Sequence, residues 1–171
     1  ELNKEMNNND PEWQRKYEAR LEEATAHVEF CCVRYRHQMK KGRHFVHEHP
    51  WCARSWKLPC IEELKADSRV NVAYANMCRF GMTTHIDKQD GPRGLVSKPT
   101  GFMTSGWGMY QELCKPCKGG HLHVPLMGGR ALACQEYPKY LCKAICRGIL
   151  KQKALGAEGH RVTGGMNQGQ M

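Results

Sequence analysis

The sequence predicts an α/β domain with a largely parallel sheet and helices on its faces. Three observations predict it. A long amphipathic repeat is followed by a short apolar run at Arg43–Glu48. A second apolar run, Val70–Tyr74, comes after a short helical segment at Pro59–Ala66. Helix, strand, helix, strand is the order of crossover units in a parallel sheet.

Each element has its local cause. Asp10 is a capping residue and Pro11 suits a first helical turn. From there Trp13, Tyr17, Leu21, Ala24, Val28, Cys31 or Cys32, Tyr35 and Met39 recur at three and four. That stripe is expected to lie on the sheet, with Arg15, Lys16, Glu22, Glu23 and Glu29 opposite. Lys40, Lys41 and Gly42 suit its C-terminal end. The first strand stops at Pro50. In the next helix Ile61 and Leu64 point inward. Residues 84–99 are charged and hold Gly91, Pro92, Gly94 and Pro99, which reads as loop. Thr100–Thr104 is a third strand and Tyr110–Leu113 a brief helix. A last helix spans about 138–153, with Leu141, Ala144, Ile145 and Ile149 inward. Cys31, Cys32, Cys142 and Cys146 are read as small buried hydrophobes. Residues 1–11 read as a flexible lead-in, 12–153 as a single domain, and 154–171 as a flexible, Gly-rich tail.

Composition narrows the function. The 171 residues suffice for a core. Net charge is +9, from 26 Lys and Arg against 17 Asp and Glu, which favours DNA or RNA as a partner or serves solubility alone. Nothing resembles a signal peptide or a membrane span, so no membrane is expected. The ten cysteines are therefore read as free thiols of an intracellular protein, nuclear or cytoplasmic. Gly128-Gly129-Arg130 lacks the Lys-Ser or Lys-Thr of a phosphate loop. The chain begins at Glu1, so trimming or excision from a longer protein is expected.

Cys114-Lys115-Pro116-Cys117, followed by His121 and His123, is the best local ligand set. Zinc takes four sulfur or nitrogen ligands in a tetrahedron. Cys-x-x-Cys offers two thiolates on one turn, and Gly119-Gly120 lets the chain fold back with its imidazoles. Lys115 and Lys118 would favour thiolate. Structural zinc is one reading. Ordinary loop thiols and a redox dithiol are the others.

Three stretches carry a resemblance. They are Gly42–Pro50 (Gly-Arg-His-Phe-Val-His-Glu-His-Pro), Met77–Met82 with Lys98–Ser105, and Gly129-Arg130 with Gln135–Pro138. Together they resemble a methyltransferase-like segment of copia-type retroelement polyproteins, those of dinoflagellates in particular. They are distantly similar to the later half of cytosine-C5 DNA methyltransferases. The resemblance covers about 12–153 and implies a partial Rossmann-like methyltransferase-type sheet with flanking helices and an irregular Cys/His-containing loop. In the cytosine-C5 family a strand ends in Glu-Asn-Val, and its Glu contacts a flipped cytosine. Glu48 would be that residue, with His49 and Pro50 in the places of Asn and Val. Arg79 or Lys98 would answer to an Arg that helps hold the base. Trp51, Arg54 and Trp56 would wall the pocket that a flipped base requires. The other reading of Glu48-His49 is a structural corner held by hydrogen bonds. The family's Pro-Cys nucleophile and Gly-rich donor loop have no counterpart here. The resemblance thus implies a later half that is inactive alone, completed by an N-terminal half in its parent, where S-adenosylmethionine would bind. The alternative is a zinc-stabilised, non-enzymatic nucleic-acid-binding or structural module.

Overall fold

The computed structural model describes residues 10–86, 91–127, 131 and 134–165. Expectations for 1–9, for Gly128, Gly129 and Arg130, and for 166–171 lie outside the described residues. In chain order the elements are α1 (Pro11–Lys40), β1 (Val46–Pro50), a 3-10 turn (Arg54–Lys57), α2 (Pro59–Lys65) and β2 (Asn71–Asn76). A second 3-10 turn (Met77–Phe80), β3 (Thr83–His85), β4 (Arg93–Leu95), β5 (Pro99–Thr104), α3 (Trp107–Leu113) and α4 (Lys139–Gly165) follow.

The parallel, Rossmann-like methyltransferase-type sheet expected from the sequence does not form. The larger sheet has the order β1-β5-β2, and β5 pairs antiparallel with both neighbours. β1 and β2 do run in the same direction, joined through α2. The third strand, however, inserts between them head to tail instead of adding at the side. Its sequence explains the central place, because every residue from Thr100 to Thr104 is buried and can face a core on either side. The segment read as loop at 84–99 supplies part of a second antiparallel pair, β3-β4. The chain is a small α/β domain with two antiparallel sheets.

Strand alternation divides the core. Met103 faces Val28, Cys32 and Met39 of α1, Ile61 and Leu64 of α2, and Phe45, Trp56 and Val70. Phe102 faces the other way, with Ala73, Ala75, Leu113, Leu141 and Ala144. α1 is capped as its sequence suggests: the Glu12 N–H donates to Asp10 Oδ1 at 2.9 Å. Its stripe is used only in part. Val28, Cys32 and Met39 are buried, while Leu21 is exposed and Trp13 stacks on Tyr17 at 5.2 Å. α4 buries Leu141 and Ala144 but exposes Ile149, Cys142 and Cys146, and it continues to Gly165, into the stretch read as a tail. The Cys142 and Cys146 expectation therefore fails: the buried phase of the helix falls on 141, 144 and 148.

α3 and α4 cross at glycine. A Cβ at Gly148 would lie 2.8 Å from Met109 Cα, and one at Gly108 would lie 2.5 Å from the Gln152 nitrogen. Beside this crossing, the buried Glu112 carboxylate is gripped by Lys151 and by Arg147, whose Nε donates at 2.9 Å. The Lys151 hydrogen bond, followed by that of Arg147, outweighs burial and holds Glu112 below the usual carboxylate range. A depressed carboxyl stabilises the fold above the unfolded value near 4.3 and loses that stabilisation as pH falls through the folded value. Both cations are half exposed, so screening trims the effect. Glu112→Gln is expected to cost about 1–2 kcal/mol at pH 7. In acid titrations of stability, the difference from wild type should shrink below about pH 4.

Candidate metal centre

Four ligand atoms converge where the two sheets meet the loop after α3. Cys78 Sγ, Cys117 Sγ and a ring nitrogen each from His121 and His123 all lie within 4.8 Å of one another. Each has its own support. Cys78 sits in the 3-10 turn that follows β2, and that turn is closed by Gly81 at φ 75°. The Lys115 N–H donates to the Tyr74 carbonyl and the Asn76 N–H to the Lys115 carbonyl, both at 3.1 Å, which docks the loop on β2. Gly119 and Gly120, at φ 74° and 78°, then reverse the chain in a conformation that L side chains rarely adopt. Val124 N–H donates to the Leu95 carbonyl at 2.8 Å, which fixes His123 beside β4.

The spacing suits zinc. Bonds of about 2.3 Å to sulfur and 2.0 Å to nitrogen in a tetrahedron put neighbouring sulfur and nitrogen about 3.5 Å apart. Cys117 Sγ is 3.6 Å from Nε2 of both His121 and His123. The two Nε2 atoms, at 2.9 Å, need to part by roughly 0.4 Å. Burial and then the adjoining Cys117 thiol push the Cys78 thiol up to about 11. A divalent cation reverses that logic, because a coordinated thiol is deprotonated. The cluster is geometrically consistent with a zinc-type site.

Of the four ligands read from sequence, the structure unites Cys117, His121 and His123. It replaces Cys114 with Cys78. Cys114 caps α3, packs against the core around Phe102, and has its thiol against the Tyr110 hydroxyl. Cys78 lies just past the end of β2, and no local spacing in the sequence joins it to Cys117.

Asn76 is a further residue that sequence reading missed. It is buried, its Oδ1 accepts from the Cys117 N–H at 2.8 Å, and its amide donates to Tyr74 and Ser97. Groups that orient ligands tune metal affinity by about 10–100-fold. Asn76→Ala should therefore weaken zinc binding by at least about tenfold in a chelator competition.

The residues read as a base pocket do not gather around Glu48. In β1, His47 and His49 share one face and Glu48 takes the other. Trp56 stands edge-on to His47 and His49, and its Nε1–H donates to the Pro50 carbonyl at 2.8 Å. Trp51 is exposed and meets Tyr74 edge-on. Both indoles lie over Gly101, where a Cβ would come within 2.6 Å of Trp56 and 3.2 Å of Trp51. His49 is hydrogen-bonded to Ser55. Arg54 and Arg79 are exposed, and Lys98 is half-buried on the strand-entry loop. Glu48 instead receives the Tyr137 hydroxyl at 3.1 Å.

No family model, no curated protein and no solved structure matches this chain. Among the described residues, no helix is long and apolar enough to cross a membrane.

Proposed function

We propose that the chain is a zinc-stabilised, non-enzymatic module in which Cys78, Cys117, His121 and His123 would hold a structural zinc ion. The observation that carries this reading is the convergence of two thiols and two imidazoles from three separate supports. A set of four protein ligands fills a zinc tetrahedron and leaves no open position for substrate, which is the pattern of structural sites. Held this way, the ion would join the end of β2 to the loop that docks on β4. Neither piece has much core of its own, because β3 and β4 are three residues each. All ten cysteines are free, in keeping with a reducing intracellular compartment, nuclear or cytoplasmic. The net charge of +9 makes DNA or RNA the partner class of this reading.

Metal analysis of the purified protein tests the proposal. About one zinc per chain is expected. Its removal by a strong chelator should lower Tm, and stoichiometric zinc should restore it. A protein that carries no zinc, gains none on addition, and melts alike with and without chelator would refute the reading.

A further inference from the structure

Strand β1 is an edge strand, and among the described residues no other strand covers its free side. There, between α1 and the Tyr137–Ile145 segment, lies a cavity of about 350 Å³. That volume falls within the range of small-molecule sites. Two polar atoms of residues that line it are buried without a hydrogen-bond partner: Glu48 Oε1 and His47 Nε2. His47 as a whole is only 7% exposed. Buried polar groups are ordinarily paired, and the acceptor-only Glu48 Oε1 beside the cavity calls for an occupant that supplies a donor.

We propose that this cavity binds a small organic cation, an alkylammonium or guanidinium group, with Glu48 as its anchor. Glu48 already uses Oε2 to accept from Tyr137, and Oε1 can take a donor from the ligand. Among the described residues no Lys or Arg lines the cavity, so none of them supplies the carboxylate with a cation there. Oε1 of this half-buried carboxylate is itself buried and unpaired, which is unfavourable, and a cationic donor relieves that. Tyr35, Phe102 and Tyr137 supply aromatic walls, which favour cations over neutral groups of equal size.

His47, on the opposite face of β1, adds no charge that would repel a cation. Burial, with His49 next to it, pushes its imidazole down to about 4, so it is neutral near pH 7. Its Nδ1 is 3.1 Å from the Tyr35 hydroxyl. Tyr35 is held protonated by burial and by Cys31, to which its hydroxyl is also bonded. An ammonium or guanidinium group carries donors alone, which is what the acceptor-only Glu48 Oε1 lacks. This site is separate from the metal cluster and does not depend on it.

The test uses the full chain and two matched pairs of probes at constant ionic strength. Backbone amide spectra are titrated with n-butylammonium against n-butanol, and with ethylguanidinium against propionamide. The cations are expected to shift the resonances of residues 47, 48 and 137, with affinities at least tenfold above their neutral partners. Glu48→Gln should lower cation affinity at least tenfold. Equal binding of cation and neutral partner in the wild-type protein overturns the proposal without any variant. Unchanged cation binding by a folded Glu48→Gln protein also overturns it. So does silence toward all four probes, which would leave the cavity to water alone. A capped lysine tripeptide distinguishes the source of the cation. If it binds more tightly than butylammonium, the natural ligand is a partner's side chain, and if more weakly, a free amine; both results uphold the site.

Discussion

Cys78→Ser should release zinc, while Cys114→Ser should retain it. This pair separates the folded cluster from the local Cys-x-x-Cys motif, because the two choices of second sulfur give opposite outcomes. Loss of Cys78 Sγ leaves one thiolate and two imidazoles and opens a buried position to the ion. Apparent zinc affinities in small domains correspond to about 10–16 kcal/mol, and one thiolate is a large share of that. The expected fall in Tm is more than about 10 °C, since each kcal/mol moves Tm by about 2–4 °C in a domain of this size. Cys114→Ser alters only a half-buried thiol beside Tyr110 and is expected to move Tm by less than about 3 °C. Metal content and thermal melts on the two variants check both expectations together.

Gly148→Ala is the second large effect. The added methyl would stand 2.8 Å from Met109 Cα and 3.3 Å from the Gly108 carbonyl oxygen. The nearest of these contacts is backbone, so no rotamer change removes the clash, and α3 and α4 must move apart. Overpacking of this kind costs about 1–3 kcal/mol and can exceed that. Here it also strains the adjoining Glu112 clamp and the bond from the Gly108 N–H to Gln152 Oε1. We expect a loss of at least about 3 kcal/mol by denaturant unfolding. Gly42→Ala is the contrasting case. It meets nothing within 4 Å, so its cost comes only from the positive φ of 66° and should stay near 1 kcal/mol.

These two cases also show where the sequence was legible. Local signals held where they mark helix starts and tight turns. Asp10 and Pro11 start α1, Pro59 starts α2 with Ile61 and Leu64 inward, and the glycine pair turns the loop after α3. Those features depend on neighbours in the chain. What failed depends on distant partners. Helix, strand, helix, strand implies β1 and β2 running alike, which holds, but nothing local says that β5 enters between them antiparallel. The periodic stripe of α1 reports an apolar face and not its cover. Val28, Cys32 and Met39 find the core, and Leu21 does not. Cys78 joins the cluster only because β2 ends where the loop docks, a contact made through Tyr74, Asn76 and Lys115. The close α3–α4 crossing was invisible because Gly108 and Gly148 carry no motif, only an absence of side chain. The methyltransferase resemblance drew on short stretches around β1 and β5, and the fold attached to it required the parallel sheet that these strands do not make.

The central claim is that two sulfurs and two nitrogens hold one metal ion. X-ray absorption at the zinc edge of the purified protein tests it most directly. The cluster predicts two sulfur neighbours at about 2.3 Å and two nitrogen neighbours at about 2.0 Å. A shell of three or more sulfurs, an oxygen-rich shell, or a protein that holds no zinc would contradict it.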